Sequence, residues 1–339
     1  MSITTETQEN LEITGAPPIP GLRFRYFQGE SDYPKILDVF NACREVDEIE
    51  YAMTIEGIAH NYEHLERCNP FTDMIFAEVD GHPIAYSRVG WFLEGSGDYI
   101  YYALGWIKPE WRRNGLGTAI LKHNERRIRK IATEHPAEAQ KYFQNDHEGQ
   151  QVGVAALLKA NGYQEVRWGY RMTRPTGDPL PEAPLPPGMK VRPVTEADIR
   201  PIWEAAHEAF SESWGFAPAT EEGYQRWISG LYFDPSLWKV AWDGKQVAGM
   251  VLNFVDTDYN REYGIQRGWT DPICVRKPWR RRGLARALLV QSIEMFRQMG
   301  FDETALGVDT QNPNRALDLY AGVGYKMIRE GITYRKPLA

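Results

Sequence analysis

Arg280-Arg281-Arg282-Gly283-Leu284-Ala285 decides the reading of this chain because it has an earlier copy, Arg112-Arg113-Asn114-Gly115-Leu116-Gly117. Both read Arg-x-x-Gly-x-Gly/Ala. Each follows a β-like run closed by a proline, Lys108-Pro109-Glu110-Trp111 and Lys277-Pro278-Trp279, and each opens a segment of helical character. A strand, a tight turn free of bulky side chains and a helix N-terminus make an anion site. Successive backbone N–H groups converge there and the helix dipole adds partial positive charge. Flanking arginines extend the grip to several phosphate oxygens. The two loops, with Thr118 after the first, are therefore candidate phosphate sites.

Outward from the motifs, the two halves align. Phe24-Arg25-Tyr26 matches Val191-Arg192-Pro193, Asp80-Gly81 matches Asp243-Gly244, and Gly162-Tyr163 matches Gly324-Tyr325, at offsets between 162 and 168. A nearly constant offset with small drifts is what a duplicated domain with loop changes produces. The sequence predicts a tail over 1–20, a first domain over 21–174, a linker over 175–189 and a second domain over 190–339. The linker reading rests on prolines at 175, 179, 181, 184, 186 and 187, which remove N–H donors and favour extended conformations. Within each half a short strand (Leu22 to Tyr26; Met189 to Arg192) precedes helical segments and an Asp-Gly hairpin. The helix after each motif is amphipathic, with Leu121, Ile128 and Ile131 on one face in the first copy and Leu284, Leu288 and Met295 in the second. Thr304 to Val308 reads as a strand, and Asn314 as the cap of a short helix ending near Gly324. These patterns make an α/β chain of two mixed sheets flanked by helices.

Composition narrows the function. The length of 339 residues suits two domains of about 150 residues each. Apolar residues make up 42% and charged ones 25%, as in ordinary globular proteins. No run is apolar enough to span a bilayer and the N-terminus lacks the order of a secretion signal. Three scattered cysteines without Cys-x-x-Cys argue against disulfides and zinc, so a cytoplasmic protein with reduced thiols is expected. The seven histidines form no metal motif. A net charge of −7 argues against nucleic acid as partner.

Taken together, the paired motifs resemble the pyrophosphate signature of the GNAT acetyltransferase superfamily. The resemblance covers nearly the whole chain and implies two tandem GNAT folds and acetyl-CoA as cofactor. The second half continues the likeness. Asn312-Pro313-Asn314-Arg315-Ala316-Leu317-Asp318-Leu319-Tyr320-Ala321-Gly322-Val323-Gly324-Tyr325 is similar to the stretch that completes a GNAT cofactor site. It implies that Asn312 binds cofactor and that Tyr320 protonates the leaving CoA thiolate. Asp271, nine residues before Arg280, lies on a strand where relatives carry the base that deprotonates the amine. A backbone N–H near Cys274 or Val275 would polarise the thioester carbonyl. In the first half, Leu158 stands in place of Tyr320, Gln150 in place of Asn312 and Ala103 in place of Asp271. That half is expected to bind CoA or its acyl ester without catalysing.

An alkylamine with a pKa of about 10 is ammonium at neutral pH, so transfer to it needs a base. Glu212, Trp214 and Phe216, placed where such enzymes carry a substrate-side loop, are candidates to line the acceptor pocket. The expected acceptor is a primary amine of a small molecule. The layout, with a degenerate first copy and an intact second, resembles the mycothiol synthase group of duplicated GNAT proteins, which would imply a cysteinyl amine on a sugar conjugate. A CoA-binding sensor without turnover and a protein or peptide N-acetyltransferase are the alternatives. Oligomeric state stays open, although a tandem repeat could serve as an internal dimer and so remain a monomer.

Overall fold

A computed structural model describes residues 11–338. The chain forms two compact units, Met1–Glu165 with Thr333–Ala339, and Val166–Ile332.

The first unit holds β1 (Leu22–Tyr26), α1 (Tyr33–Arg44), α2 (Ile55–Glu63), α3 (Pro70–Asp73), β2 (Met74–Val79), β3 (His82–Leu93), β4 (Tyr99–Ile107), α4 (Leu116–Ala132), β5 (Lys141–Glu148) and α5 (Val152–Ala160). Its strand order is β1-β2-β3-β4-β5. The β2–β3 hairpin turns at Asp80 and Gly81, both at positive φ, which is what a tight two-residue turn requires. β3 and β4 stay paired from Leu93↔Tyr99 to Ala85↔Ile107, whereas β5 follows β4 in parallel only from Tyr99↔Lys141 to Tyr102↔Gln144. The two parallel strands then part. α4 buries Leu116, Ala119 and Ile120 against Phe24, Ile75 and Ile84, and Ile13 joins that cluster. Of the tail read over 1–20, residues 1–10 lie outside the described residues, and from Leu11 onward the chain is packed on this core, with the Leu11 N–H bonded to the Phe24 carbonyl at 3.0 Å.

The second half of the chain adds β6 (Gln164–Pro175), β7 (Met189–Val191), α6 (Ile199–Phe210), α7 (Glu221–Ile228), β8 (Lys239–Asp243), β9 (Gln246–Val251), α8 (Thr257–Tyr263), β10 (Arg267–Trp269), β11 (Ile273–Val275), α9 (Leu284–Gln298), β12 (Glu303–Asp309), α10 (Ala316–Ala321) and β13 (Lys326–Pro337). In the second unit one sheet runs β13-β6-β12-β10 and another β11-β9-β8-β7. β10 pairs in parallel with β12, but after three intervening residues β11 has moved to an antiparallel partner, β9. Pro272 sits in the gap and has no N–H to give to a ladder. The result is a cleft between β11 and the end of β12, repeating the parting of β4 from β5. Helix α9 buries Leu284, Leu288, Leu289, Ile293 and Phe296, while Met295 and, in α4, Ile131 are only half-buried near their helix ends.

The compact units are drawn differently from the domains read along the sequence. The division falls at Glu165/Val166 because β6 pairs with β12 from Gly169↔Asp309 to Pro175↔Glu303. The proline-rich stretch after it is extended yet belongs to the second unit. Arg174, buried, donates to the carbonyls of Asp178, Pro179 and Val323 at 2.7–3.0 Å, and Leu180 and Leu185 pack on the core. Among the described residues no helix is long and apolar enough to cross a membrane, and no group of three or more His, Cys, Asp or Glu is placed to hold a metal ion.

Candidate active site

The cleft of the second unit is a cavity of about 680 Å³. The loop of the motif lines it. Gly283 is the N-cap of α9 with φ 82°, a left-handed conformation that explains glycine at this position, and Gly115 does the same for α4 with φ 94°. The Gly/Ala position is also steric. A Cβ on Gly117 would sit 3.4 Å from Leu157 and 3.5 Å from Ile107. Leu284 and Leu116 are buried, so only their backbones are available to a ligand.

The first arginine of each motif acts on the protein. Arg280 donates to the Val275 carbonyl at 3.0 Å, the Ala209 carbonyl at 3.0 Å and Glu212 at 2.8 Å. Arg112 donates to the Ile107 carbonyl at 2.7 Å and forks onto Asp47 at 2.6 and 2.7 Å. Both tie the end of a strand to the loop, leaving their backbones as what they offer a ligand. Arg281 is exposed at the cavity, and Arg282 is bonded to the Pro278 carbonyl. Arg113 and Thr118 are exposed. The loops differ in one respect: Asn114 Oδ1 accepts from the Leu116 N–H at 3.1 Å, whereas Arg282, its counterpart, has no acceptor with which to occupy the Leu284 N–H. Trp279 is buried with its indole N–H on Asp243, a packing residue as its position before the loop suggested.

Asp271 and Tyr320 both line the cavity. Burial pushes the Asp271 carboxyl up to about 6, opposed by the Gly307 N–H, which donates to Oδ2 at 3.3 Å. Burial also raises the Tyr320 phenol well above its ordinary value, and the neighbouring charge of Asp271 adds to this. Tyr320 is 6% exposed and meets Tyr325 edge-on. Cys274 is a buried core residue whose thiol is raised by burial to about 12, so it is protonated at neutral pH and no nucleophile. The Pro272 carbonyl and the Arg276 N–H bond to β9. By the two-residue alternation of an antiparallel ladder, the Cys274 backbone faces β9 too, and the N–H groups of Ile273 and Val275 face the cleft.

Asn312 lines the cavity and uses its Oδ1 to accept from the Asn314 N–H at 2.8 Å. Asn314 does not cap α10, contrary to the sequence reading. The turns at Asp309–Arg315 extend one residue further, placing Arg315 at the N-cap in a left-handed conformation with no side-chain cap bond. Of the expected acceptor residues, Glu212 is paired with Arg280 and with Lys277 at 3.0 Å, Trp214 is 39% exposed beneath the Arg167 guanidinium, and Phe216 lies edge-on to His207. From that segment it is Ala209, Phe210 and Ser213 that line the cavity. Gly307 was missed along with them; a glycine inside a strand run is the signal that could have found it.

The first copy is built differently at the same places. Leu158 is buried where Tyr320 stands. Trp269↔Ala305 and Tyr101↔Phe143 are equivalent pairs, so Asn145 occupies the place of Gly307 and Ala103 that of Asp271. There Asn145 Nδ2 donates to the Ala103 carbonyl at 2.9 Å, bridging the parted strands.

Comparison with known proteins agrees with this geometry. The acetyltransferase (GNAT) family matches residues 33–144 and again 199–325. A mycothiol acetyltransferase from Salinispora arenicola is 25% identical over 90% of this chain and 94% of its own, and one from Geodermatophilus obscurus is 25% identical over 78% and 82%. The crystal structure of a GCN5-related N-acetyltransferase from Sphaerobacter thermophilus superposes with a TM-score of 0.73 at 27% identity, covering 95% of this chain and 97% of the other. A tandem GNAT protein from the clavulanic acid biosynthesis pathway shares the fold at 14% identity, with a TM-score of 0.64 over 94% and 99% of the two chains. With the Arg-x-x-Gly-x-Gly/Ala loop at a helix start in each half and the family matched twice, the chain is a tandem member of the GNAT acetyltransferase family, similar to mycothiol acetyltransferases.

Proposed function

We propose that the second unit transfers an acetyl group from acetyl-CoA to a primary amine of a small molecule, and that the first unit does not catalyse. The observation that carries this reading is that an acid and a phenol, Asp271 and Tyr320, line the same cavity as the Arg280–Ala285 loop. The pyrophosphate would rest on the N–H groups of the Arg281–Ala285 loop, in the cavity that Arg281 and Asn312 also line. Thr118 and the Arg112–Gly117 loop would hold a second cofactor in the first unit only if Asn114 and Asn145 gave way.

Asp271 takes a proton from the bound ammonium, directly or through water. The free amine attacks the thioester carbonyl carbon, and the N–H of Ile273 or Val275 stabilises the oxyanion. The C–S bond would break as Tyr320 gives its proton to the departing thiolate, and the second proton, still on the newly acylated nitrogen, would return to the Tyr320 phenolate, leaving neutral amide and CoA thiol. Both groups suit these tasks: an acid near 6 is largely ionised at neutral pH, while the raised phenol keeps its proton until sulfur needs it. The transfer is direct, since Cys274 is protonated and buried.

Amine-dependent release of CoA thiol tests the reading. Tyr320→Phe should lower turnover by about a hundredfold, at the lower end of the range for losing a general acid, with acetyl-CoA affinity little changed. Unaltered turnover removes Tyr320 from the mechanism. Acetyl-CoA binding without thiol release for any amine would favour the sensor alternative.

A further inference from the structure

Where the strand of Asp271 leaves β12, a buried chain of hydroxyl groups ties three segments together. Thr270 Oγ1 lies 2.9 Å from the Tyr325 hydroxyl, which lies 2.8 Å from Thr304 Oγ1. Thr270 and Thr304 are wholly buried and Tyr325 is 3% exposed, so these groups satisfy one another rather than water. The order of donors follows from one fixed end. Thr270 Oγ1 also meets the Ala305 carbonyl at 3.2 Å, and a carbonyl can only accept. The Thr270 hydroxyl therefore donates to Ala305 and accepts from Tyr325, whose oxygen accepts from Thr304. Burial raises the Tyr325 phenol to about 12, so its proton stays in the chain at neutral pH.

The chain ends where the cleft begins. The Thr270 N–H donates to the Ala305 carbonyl at 2.8 Å, carrying the attachment of β10 to β12 one residue further. Two residues on, the Pro272 carbonyl accepts from the Leu252 N–H at 3.0 Å, on the side of β9. Asp271 is the step between these two bonds. Tyr325 also touches the second reacting group, because its ring centroid lies 6.3 Å from that of Tyr320, edge-on. The first copy is built otherwise. By the equivalent pairs Trp269↔Ala305 and Tyr101↔Phe143, Tyr102 and Tyr142 stand in place of Thr270 and Thr304. The Tyr163 hydroxyl, at the place of Tyr325, donates to Glu125.

We infer that Tyr325 is a positioning residue for the proposed transfer: through Thr270 its hydroxyl holds Asp271 at the parting of the strands, and its ring backs Tyr320, so that one side chain sets the acid against the phenol. The inference rests on the transferase reading and adds to it the group that aligns its two reacting side chains.

The test reads placement and turnover separately, in Tyr325→Phe, which keeps the ring, Thr270→Val, which keeps the shape, and Thr270→Ser, which keeps the hydroxyl. Placement is read by carbon NMR titration of protein carrying carboxyl-labelled aspartate, the Asp271 signal being identified by its loss in Asp271→Asn. In the parent protein it should titrate at about pH 6. Loosening the clamp admits water to the carboxyl, so the Phe and Val variants should titrate at lower pH, toward the ordinary aspartate value of about 3.9, and the Ser variant close to the parent. Turnover is read as acetyl transfer to whichever of phenethylamine, putrescine and glucosamine the parent acetylates fastest. In the Phe and Val variants kcat should fall by about ten- to a hundredfold, toward the cost of a misplacement of about 1 Å, while acetyl-CoA affinity is kept and Thr270→Ser recovers most of the rate. A midpoint that stays in place, or one that moves without loss of kcat, overturns the inference and leaves the transferase reading standing. If one of the two variants no longer binds acetyl-CoA, the other decides. If neither binds, the hydroxyl chain holds the fold and not the reacting groups, which also overturns the inference. Should the parent bind acetyl-CoA and acetylate none of the three amines, the transferase reading loses its support, and the midpoints alone decide whether Tyr325 places Asp271.

Discussion

Asp271 marks the sharpest chemical difference between the two copies of a shared fold. Its counterpart Ala103 occupies the equivalent strand of the first unit, where no charge is possible. Desolvation disfavours the ionised carboxylate and so raises its pKa to about 6, with the Gly307 N–H acting in the opposite direction. The sign for activity follows directly. A base must be deprotonated, so its active fraction is full well above pH 6 and shrinks as pH falls through that value. The profile of kcat/KM should therefore show an acid limb near pH 6, falling about tenfold per pH unit below it. Asp271→Asn should remove that limb together with most of the rate. A limb that persists in the Asn variant would assign it to another group.

At the scale of elements, the parting of parallel strands makes the site. β10 and β11 are read most simply as one strand, yet they pair with different partners, and the opening between them is where Asp271 lies. What keeps the opening clear is Gly307. In the first unit the same step carries Asn145, whose amide bridges to the facing strand. Gly307→Asn should transplant that bridge. Gly307 is not among the glycines of positive φ, so the substitution meets no left-handed strain, but its Cβ comes within 3.3 Å of the Asp271 carboxylate. Turnover should drop by about a hundredfold, the scale at which small misplacements of a reacting group act, with little change in the thermal midpoint. Full activity would mean that the width of the cleft at β12 is not needed.

For the whole molecule, the ends of the chain matter in an unexpected way. The residues after Ile332 belong to the first unit, although they come last in sequence. The Leu338 N–H bonds to the Lys141 carbonyl at 2.9 Å, Lys336 reaches the buried Glu125 carboxylate at 2.8 Å, and Arg335 pairs with Glu94. Truncation after Ile332 strips Glu125 of its nearest cation and leaves β5 without this edge. Breaking a buried pair from one side costs on the order of 3–5 kcal/mol. Calorimetric unfolding should register a substantially lowered transition, and an unchanged one would make the terminal strand dispensable.

Much was legible from residues alone, and for a physical reason. The glycine loops before α4 and α9, the Asp-Gly turns and the helix stripes are local: φ preferences, missing side chains and 3.6-residue periodicity act within a few residues. The duplication, the GNAT family and the loss of Tyr320, Asn312 and Asp271 equivalents from the first half are likewise carried by residue identity at constant offset. What the tertiary structure decided is non-local. Register across strands opposed Arg171 to Gly307 and set Asn145 against Ala103, over separations that no motif spans. Ladder pairing assigned β6 and the proline-rich stretch to the second unit, because hydrogen bonds to β12 outweigh the punctuation that prolines give to the sequence. Burial, too, belongs to the assembled fold: an aspartate with an ordinary pKa in an unfolded chain is raised to about 6 only when folding takes water away from it.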